Sequence, residues 1–335
     1  MLDGISFTLI LVVVLALVFD FINGFHDTAN TVATTISTRV LTPSIAIFMS
    51  AVCNFLGAFF NQKVAGTVAK DLVDNTMIDT NVIICALISA IFWNLLTWYL
   101  AIPSSSSHAL FGSLIGATIA YTSGLHALKW SGILNKVIIP LFTSPVIGFV
   151  LGYIVMNALN TLFRKASPKF VNKSFSKLQI VSAAVMSFSH GNNDAQKSMG
   201  IITMALIASN MNNGQSGTQL WVIAICALAM AIGTSVGGMR IIKTVGCNIM
   251  KMSPINGFAA QTSAAVVIET MTQFHAPIST THVITTAVMG VGASKRLSAV
   301  RWTLAKNIVK AWIYTIPVNA AIAAVLTILF KSIFM

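Results

Sequence analysis

Two short polar segments interrupt long apolar stretches of this chain, and each combines an aspartate with amide side chains. The first is NGFHDTAN, residues 23–30, which follows the apolar run ISFTLILVVVLALVFDF. The second is SHGNNDAQKS, residues 189–198. A carboxylate at membrane depth costs about 2.5–3.5 kcal/mol, so its presence indicates a function. Carboxylate and amide oxygens suit a hard cation, and aspartate or histidine can carry a proton.

We therefore expect the two segments to form a site for a coupling cation or proton. Its predicted residues are Asn23, His26, Asp27, Asn30, His190, Asn193 and Asp194. If the ion is a metal, the candidate ligands are Asp27, Asn30 and Asp194. Gly24 and Gly191 adjoin the segments, which predicts that the helices unwind there and expose main-chain carbonyls. The alternative is a buried polar network that only holds helices together.

Two further segments carry hydroxyl side chains between a proline and a histidine. They are PSSSSHA from Pro103 and PISTTHV from Pro277. Serine and threonine after proline are typical of a helix start. Free N–H groups and a partial positive charge at a helix N-terminus, together with the hydroxyls, suit a tetrahedral oxyanion. Simple N-capping is the alternative, and the histidines that follow, His108 and His282, have no assigned role.

Both motifs occur twice and in the same order, which indicates an internal duplication. Asp27 aligns with Asp194 at an offset of 167 residues, and Pro103 aligns with Pro277 at an offset of 174. The predicted organisation is a first repeat at 1–158, a basic linker at 159–178 and a second repeat at 179–335. With the linker inside the cell, each half crosses the membrane an odd number of times, so the halves are inverted. Inverted repeats with interrupted helices are typical of secondary transporters.

The composition requires that membrane helices position these motifs. Of the 335 residues, 56% are hydrophobic and 8% are charged, whereas soluble domains average about 25% charged residues. Apolar stretches long enough to cross a bilayer, roughly 20 residues each, recur along the chain. They do not alternate as barrel strands do, so the predicted fold class is an all-α polytopic membrane protein. Because no basic residue precedes the first apolar run, we expect a retained span and no cleaved signal peptide.

The net charge of +12 is concentrated at positions that indicate orientation in a membrane. The largest acid-free basic cluster consists of Arg164, Lys165, Lys169, Lys173 and Lys177. Short basic segments of this kind mark the cytoplasmic side and attract anionic lipid. We therefore expect a multi-pass protein of the inner or plasma membrane, with its central basic segment in the cytoplasm. The predicted partners include membrane lipids and exclude nucleic acid.

Four sequence segments together resemble the inorganic phosphate transporter (PiT) family. They are NGFHDTANTVAT, FSHGNNDAQKSMG, PSSSSHALFGSLIG and PISTTHV, and WNLLTWYLAIPSSSSHALFG resembles the bacterial low-affinity branch. The resemblance extends from about residue 15 to residue 318. It implies about 10–12 helical elements in two inverted halves with broken helices, two membrane hairpins and a homodimer. It also places the coupling-cation site at the Asn-Asp motifs, around Asp27, Asn30 and Asp194.

The resemblance implies that phosphate binds at the hydroxyl-rich segments. With Lys197 as an additional candidate, the predicted phosphate-binding residues are Ser104, Ser105, Ser106, Ser107, Ser279, Thr280, Thr281 and Lys197. Sodium-coupled members carry Asn-Asp-x-x-Asn in both halves, whereas the second half here reads N-D-A-Q-K and ends in Lys197. An ammonium there would neutralise Asp194 or phosphate and would repel sodium. We therefore expect proton coupling, with Asp27, His26 and His190 as candidates for the titrating group.

The predicted function is secondary active import of inorganic phosphate by alternating access, with arsenate as a competitor. Phosphate travels free or as a complex with a divalent metal. We expect no catalytic residue, no enzymatic activity and no cofactor besides the co-transported cation. The alternatives are a sodium-coupled phosphate symporter, a sulfate permease on the same fold, a passive anion channel, and a serine hydrolase centred on GQSG at 214–217. Glu269, the only glutamate, aligns with Leu95 and has no assigned role.

Overall fold

The protein is described by a computed structural model that covers residues 7–209, 211, 217–237, 241–242 and 249–334. Within these residues the fold is all-α, as predicted, and the extended segments make only an isolated bridge between Val73 and Leu128. A π-helical stretch, Ile133–Ile138, lies inside the sixth helix. The helices are α1 Phe7–Ser37, α2 Pro43–Ala58, α3 Lys63–Lys70, α4 Thr80–Tyr99, α5 Ser106–Thr122, α6 Trp130–Leu162, α7 Pro168–Ala208, α8 Leu220–Val236, α9 Pro254–Gln273, α10 Thr280–Lys295 and α11 Trp302–Phe334.

Several helices have the length and composition of membrane spans. Four helices of the described chain, α1, α4, α6 and α11, are long and apolar enough to cross a bilayer. The pair α2 and α3 adds a fifth span if counted together, and it is bent by 68° at a short break. Three of the four lie in or mainly in the first half and one lies in the second, in agreement with the predicted polytopic fold.

The buried apolar side chains form two clusters, and α1 and α7 pass through both. On α1, Phe19 belongs to one cluster and Ala29 to the other. On α7, Met186 belongs to the second cluster and Met199 to the first. The polar segments of both helices lie between these positions and are buried. The two clusters thus enclose the predicted site residues in the middle of the helices.

The expected unwinding at Gly24 and Gly191 is wrong. Both α1 and α7 continue as regular α-helices through these glycines. A Cβ at Gly24 would collide with the main-chain oxygen of Met230 on α8, and one at Gly191 with that of Asn54 on α2. The glycines therefore allow close packing of neighbouring helices. Main-chain carbonyls of α1 and α7 stay within their helices, so an ion at these segments depends on side chains.

Two helix pairs form hairpins, in agreement with the two hairpins that the resemblance implies. Helices α4 and α5 are joined by residues 100–105, and their far ends meet where the Tyr121 hydroxyl donates to Asp79 at 3.4 Å. Helices α9 and α10 are joined by residues 274–279, and Lys295 donates to Asn256 at 3.2 Å at their far ends. We call residues 100–107 the first tip and residues 274–281 the second tip. Each tip contains one of the hydroxyl-rich segments.

The segment 159–178, predicted as a linker, consists of the end of α6, residues 163–167 and the first turns of α7. All five basic side chains of the predicted cluster are exposed on it. The position of this segment relative to the membrane and the inverted relation of the halves stay predictions.

Candidate functional site

The two hairpin tips lie against each other. The Ser107 hydroxyl of the first tip donates to the main-chain oxygen of Ile278 in the second, at 3.0 Å. The rings of His108 and His282, which follow the two tips, are in edge contact with centroids 4.5 Å apart. Because helix starts carry free N–H groups, this arrangement brings two such starts into one small volume.

Each tip starts its helix with the same capping bond. The Ser105 hydroxyl accepts from the main-chain N–H of His108 at 3.2 Å, and the Ser279 hydroxyl accepts from that of His282 at 3.3 Å. Among the predicted hydroxyl residues of the tips, Ser105 and Ser279 therefore act as helix N-caps, and the others do not. The remaining hydroxyls are free to make other contacts.

Asp27 on α1 receives hydroxyl groups from both tips. Thr281 of the second tip donates to Asp27 Oδ1 at 3.1 Å, and Ser106 of the first tip donates to Oδ2 at 3.5 Å. One turn further along α1, Asn30 donates to the hydroxyl of Thr281 at 2.8 Å and to that of Thr280 at 3.4 Å. The first Asp motif and both hydroxyl segments are thus in direct contact, as predicted from their types.

Asp194 on α7 is paired with Lys197. The ammonium lies 2.6 Å from Asp194 Oδ1 and donates to the main-chain oxygen of Ile278 at 2.9 Å. Thr280 donates to Asp194 Oδ2 at 3.2 Å, and His190 Nε2 is 3.4 Å from the same oxygen. Lys197 is fully buried, so this charge is compensated inside the protein, and the pair adds no net charge to the site.

His26 connects Asp27 to the first hairpin. Its Nδ1 lies 2.9 Å from Asp27 Oδ1, and its Nε2 lies 3.2 Å from the hydroxyl of Thr97 on α4. Ser104 of the first tip also donates to the Thr97 hydroxyl, at 3.3 Å. We refer to the two acids, their neighbours on α1 and α7, and the tips as the central site.

Comparison with known proteins shows which family contains this chain. The model of the phosphate transporter family matches residues 23–323. The chain belongs to the phosphate transporter family. A probable low-affinity inorganic phosphate transporter of Bacillus subtilis is 48% identical over 327 residues, which are 97% of this chain and 98% of that protein. One of the same name from Rhizobium meliloti is 45% identical and covers 93% of each chain.

The fold also matches a solved structure named "The sodium-dependent phosphate transporter", with a TM-score of 0.87. That protein is 23% identical, and the match covers 98% of this chain and 100% of the other. At this identity the likeness establishes the fold. The family confirms the resemblance inferred from the four motifs, and with it a multi-pass phosphate transporter that is not an enzyme.

The donor set of the transporter's central site is a poor fit for a divalent metal. Asp27, His190 and Asp194 each offer one atom within 4.8 Å of the others. This set contains two of the predicted ligands. The third, Asn30, donates to the second tip through its amide nitrogen, and its amide oxygen has no hydrogen-bond partner among the described residues. The Lys197 ammonium lies 2.6 Å from Asp194 Oδ1, so a positive charge already lies beside this set. At 4 Å, a divalent ion and an ammonium repel by about 8 kcal/mol at an effective dielectric constant of 20.

Some predicted residues make structural contacts at the edge of the site. Asn193 donates to the hydroxyl of Thr272 at 2.8 Å and so connects α7 to α9. His190 Nδ1 contacts Asn54 at 3.2 Å, beside its approach to Asp194. Asn23 is buried, and neither atom of its amide has a hydrogen-bond partner among the described residues. It is therefore not part of the contact network around Asp27.

Sequence reasoning missed three groups that the structure places at or near the site. Thr97 and Ile278 lie within quoted segments, but nothing about their side-chain types assigned them a role. Asp20 could have been identified, because it lies in the quoted apolar run and meets the same criterion as Asp27. Glu269, left without a role, accepts from Asn192 at 3.1 and 3.2 Å and is half-buried between α7 and α9. The GQSG segment at 214–217 lies largely outside the described residues.

Proposed function

We propose that this transporter imports inorganic phosphate together with protons, by alternating access, with its basic central segment in the cytoplasm. One observation carries the proposal. The hydroxyls expected to bind phosphate, those of Ser106, Thr280 and Thr281, donate to the carboxylates of Asp27 and Asp194 in this structure. Substrate and acids therefore compete for the same donors.

This competition requires positive charge to enter with phosphate. A phosphate that takes over the hydroxyls of Thr280 and Thr281 lies beside both acids. At about 5 Å, each pair of negative charges repels by about 3 kcal/mol at an effective dielectric constant of 20. Lys197 already compensates Asp194, so the uncompensated charge is that of Asp27. A cation bound at Asp27 removes the repulsion, and this links phosphate binding to cation binding.

The hydrogen bonds around His26 support a proton as that cation. The Thr97 hydroxyl donates to the main-chain oxygen of Trp93 at 2.9 Å, so it accepts from His26 Nε2. A neutral ring then presents a bare Nδ1 to Asp27 Oδ1, 2.9 Å away. Two acceptors do not approach so closely without a hydrogen between them. With hydrogens assigned in this way, the His26–Asp27 pair holds one exchangeable proton.

Sodium coupling is the alternative, because the solved structure with the same fold is named sodium-dependent. Lys197 stands where sodium-coupled members have an asparagine, and its ammonium already occupies Asp194. We also propose that arsenate competes with phosphate, because the two match in shape and protonation. Sulfate has no proton to share with Asp27 and is expected to compete poorly.

Uptake of radiolabelled phosphate into proteoliposomes tests the proposal. Proton and sodium gradients are imposed separately, with and without magnesium, and Lys197→Asn is compared with Lys177→Asn, an exposed lysine on the same helix. We expect uptake by the wild type and by Lys177→Asn to follow the proton gradient and to stop with a protonophore. A sodium requirement without proton dependence would overturn the proposal. A magnesium requirement would identify a metal–phosphate complex as the transported species.

A further inference from the structure

Asp20 is a buried acid that the central site does not use. It lies on α1, seven residues before Asp27 and about 10 Å away along the helix axis. Its side chain is fully buried, and neither carboxylate oxygen has a hydrogen-bond partner within the described part of the chain. The ion pairs found among the described residues involve only Asp27 and Asp194. Asp20 therefore makes no ion pair and no side-chain hydrogen bond within the described residues.

Other unpartnered polar side chains lie around this carboxylate. Asn23 is one turn further along α1, and both of its amide atoms lack a partner in the described structure. On α7, the Ser198 hydroxyl lies beside Asp20 and is placed to donate to it, although neither group makes a side-chain hydrogen bond within hydrogen-bond distance in the described residues. Ser198 is fully buried. Three neighbouring groups with unused oxygens thus share one place between α1 and α7.

Helix α4 carries a fourth unpartnered polar side chain, Asn94, whose position follows from its spacing to Thr97. His26 contacts Thr97, and one turn earlier on each helix come Asn23 and Asn94. Residues three apart lie on the same face of a helix, so these two amides occupy the facing surfaces of α1 and α4. Asn94 is fully buried, and both of its amide atoms lack a partner within the described chain. We call Asp20, Asn23, Asn94 and Ser198 the Asp20 cluster.

The charges near the Asp20 cluster do not neutralise it. The ionisable groups that act on Asp20, or on which it acts, are Asp194 and Lys197 on α7 and Cys226 on α8. Lys197 is bound to Asp194 and to the second tip, so its charge is already used. The facing turn of α4 contributes the neutral amide of Asn94.

A structural polar network would satisfy its own members, as the central site does for Asp27. An ionised carboxylate without donors costs several kcal/mol in an apolar interior. One carboxylate balances one unit of positive charge, and the oxygens of two amides and a hydroxyl suit a hard monovalent ion. The group that completes this cluster must therefore come from solution.

We propose that the Asp20 cluster is a second cation site, which takes one proton or one sodium ion about two turns of α1 away from the central site. It lies toward the Phe7 end of α1, which the predicted topology places on the outer side of the membrane. A coupling ion entering from outside meets Asp20 before Asp27. This role in coupling rests on the proposed function, whereas occupancy of the site does not.

Occupancy is tested on purified wild-type protein in detergent, without transport. Binding of radioactive sodium and the infrared band of a protonated carboxylic acid are measured for the wild type, Asp20→Asn and Asp74→Asn. Asp74 lies in the loop between α3 and α4 and is the matched control. Among the described residues, its carboxylate accepts hydrogen bonds only from Thr76. We expect Asp20→Asn to lose either one bound sodium per chain or one protonated-carboxyl band, and Asp74→Asn to lose neither.

The sodium and infrared measurements distinguish a bound sodium ion from a bound proton, and both can contradict the proposal. Loss of sodium binding identifies sodium, and loss of the infrared band identifies a proton. If Asp20→Asn is folded and changes neither, Asp20 is an unneutralised carboxylate and the proposal is wrong. Ser198→Ala provides a second variant that keeps the acid. It is expected to weaken sodium binding several-fold or to shift the frequency of the Asp20 band.

The coupling role has its own readout. In proteoliposomes, the ratio of phosphate uptake with and without the driving gradient is expected to fall toward one in Asp20→Asn and to stay at the wild-type value in Asp74→Asn. An unchanged ratio in Asp20→Asn would contradict the coupling role. If wild-type uptake ignores protons, the proton coupling proposed above fails, while the sodium and infrared measurements still decide whether Asp20 binds a cation.

Discussion

Asp27 and Asp194 occupy equivalent places in the two motif copies, yet different groups surround them. Asp27 is bonded to hydroxyls of both tips and to the imidazole of His26. Asp194 is bonded to an ammonium at 2.6 Å and to one hydroxyl. Two positions make the difference. His26 precedes Asp27 where Asn193 precedes Asp194, and Asn30 follows Asp27 by three residues where Lys197 follows Asp194.

The two tips that contact these acids have the same backbone arrangement. Both tips start their helices with a serine cap, at 3.2 and 3.3 Å, and both place a histidine behind the cap. The two motif copies thus share the backbone geometry of the caps, while the lysine at position 197 changes the charge. The Asp194 half holds a buried charge pair, and in the function proposed above the Asp27 half holds the charge that changes during a transport cycle.

Breaking the fixed pair is expected to have the largest effect. Lys197→Met leaves Asp194 buried without its counter-charge, and removing one partner of a buried ion pair costs about 3–5 kcal/mol. Thermal unfolding of the purified protein in detergent measures this loss. Lys177→Met, at an exposed position of the same helix, is the control and should unfold with the wild type.

The double variant Asp194→Asn/Lys197→Met sharpens this test. Because it removes both charges together, it should regain most of the stability that Lys197→Met loses. If the single variant is no less stable than Lys177→Met, the pair does not compensate a buried charge, and the contrast between the halves fails.

Removing the changeable charge is expected to affect transport more than stability. Asp27→Asn should lower proton-driven phosphate uptake by about 100-fold, which corresponds to about 2.7 kcal/mol. Exchange of phosphate at equal concentrations across the membrane needs no net proton movement, so it should fall by a few-fold only. Both rates are measured in the same proteoliposomes. An equal loss of uptake and exchange would indicate that Asp27 binds substrate and does not carry the proton.

The chemistry of the central site could be predicted, because buried acids and hydroxyls in a membrane segment are costly and stand out. Asp27, Asp194 and the two hydroxyl segments do lie together. The helix geometry around Gly24 and Gly191 could not be predicted in the same way. A glycine beside a polar segment favours unwinding and close packing equally, and only the neighbouring helices decide between them.

Contacts that depend on three-dimensional packing could not be predicted from the sequence either. Thr97 lies 71 residues from His26, and Ile278 acts through its main-chain oxygen, which its side-chain type does not reveal. The asymmetry at Lys197 was different. It could be inferred because an ammonium at the place of an amide changes the local charge whatever the packing around it.

A smaller effect is expected where the second tip meets Asp27. Thr281→Val removes the hydroxyl that contacts both Asp27 and Asn30. A hydrogen bond to a charged group contributes about 1.5–3 kcal/mol, so the phosphate concentration for half-maximal uptake should rise by about tenfold. Thr281→Ser keeps the hydroxyl and should stay near the wild-type value. A wild-type value for Thr281→Val together with a raised value for Thr281→Ser would mean that Thr281 acts by its shape.

The smallest effects are expected at the two caps, where the halves are alike. Ser105→Ala and Ser279→Ala each remove one capping acceptor, which costs about 1 kcal/mol. The caps have the same geometry, so the two variants should lose the same stability in thermal unfolding. Ser167→Ala removes the cap of α7, which accepts from Phe170 at 3.3 Å far from the tips, and should lose as much stability with unchanged phosphate uptake. If only one tip variant is destabilised, the two capped helix starts differ in structure, and the difference between the halves is not confined to the side chains around the two aspartates.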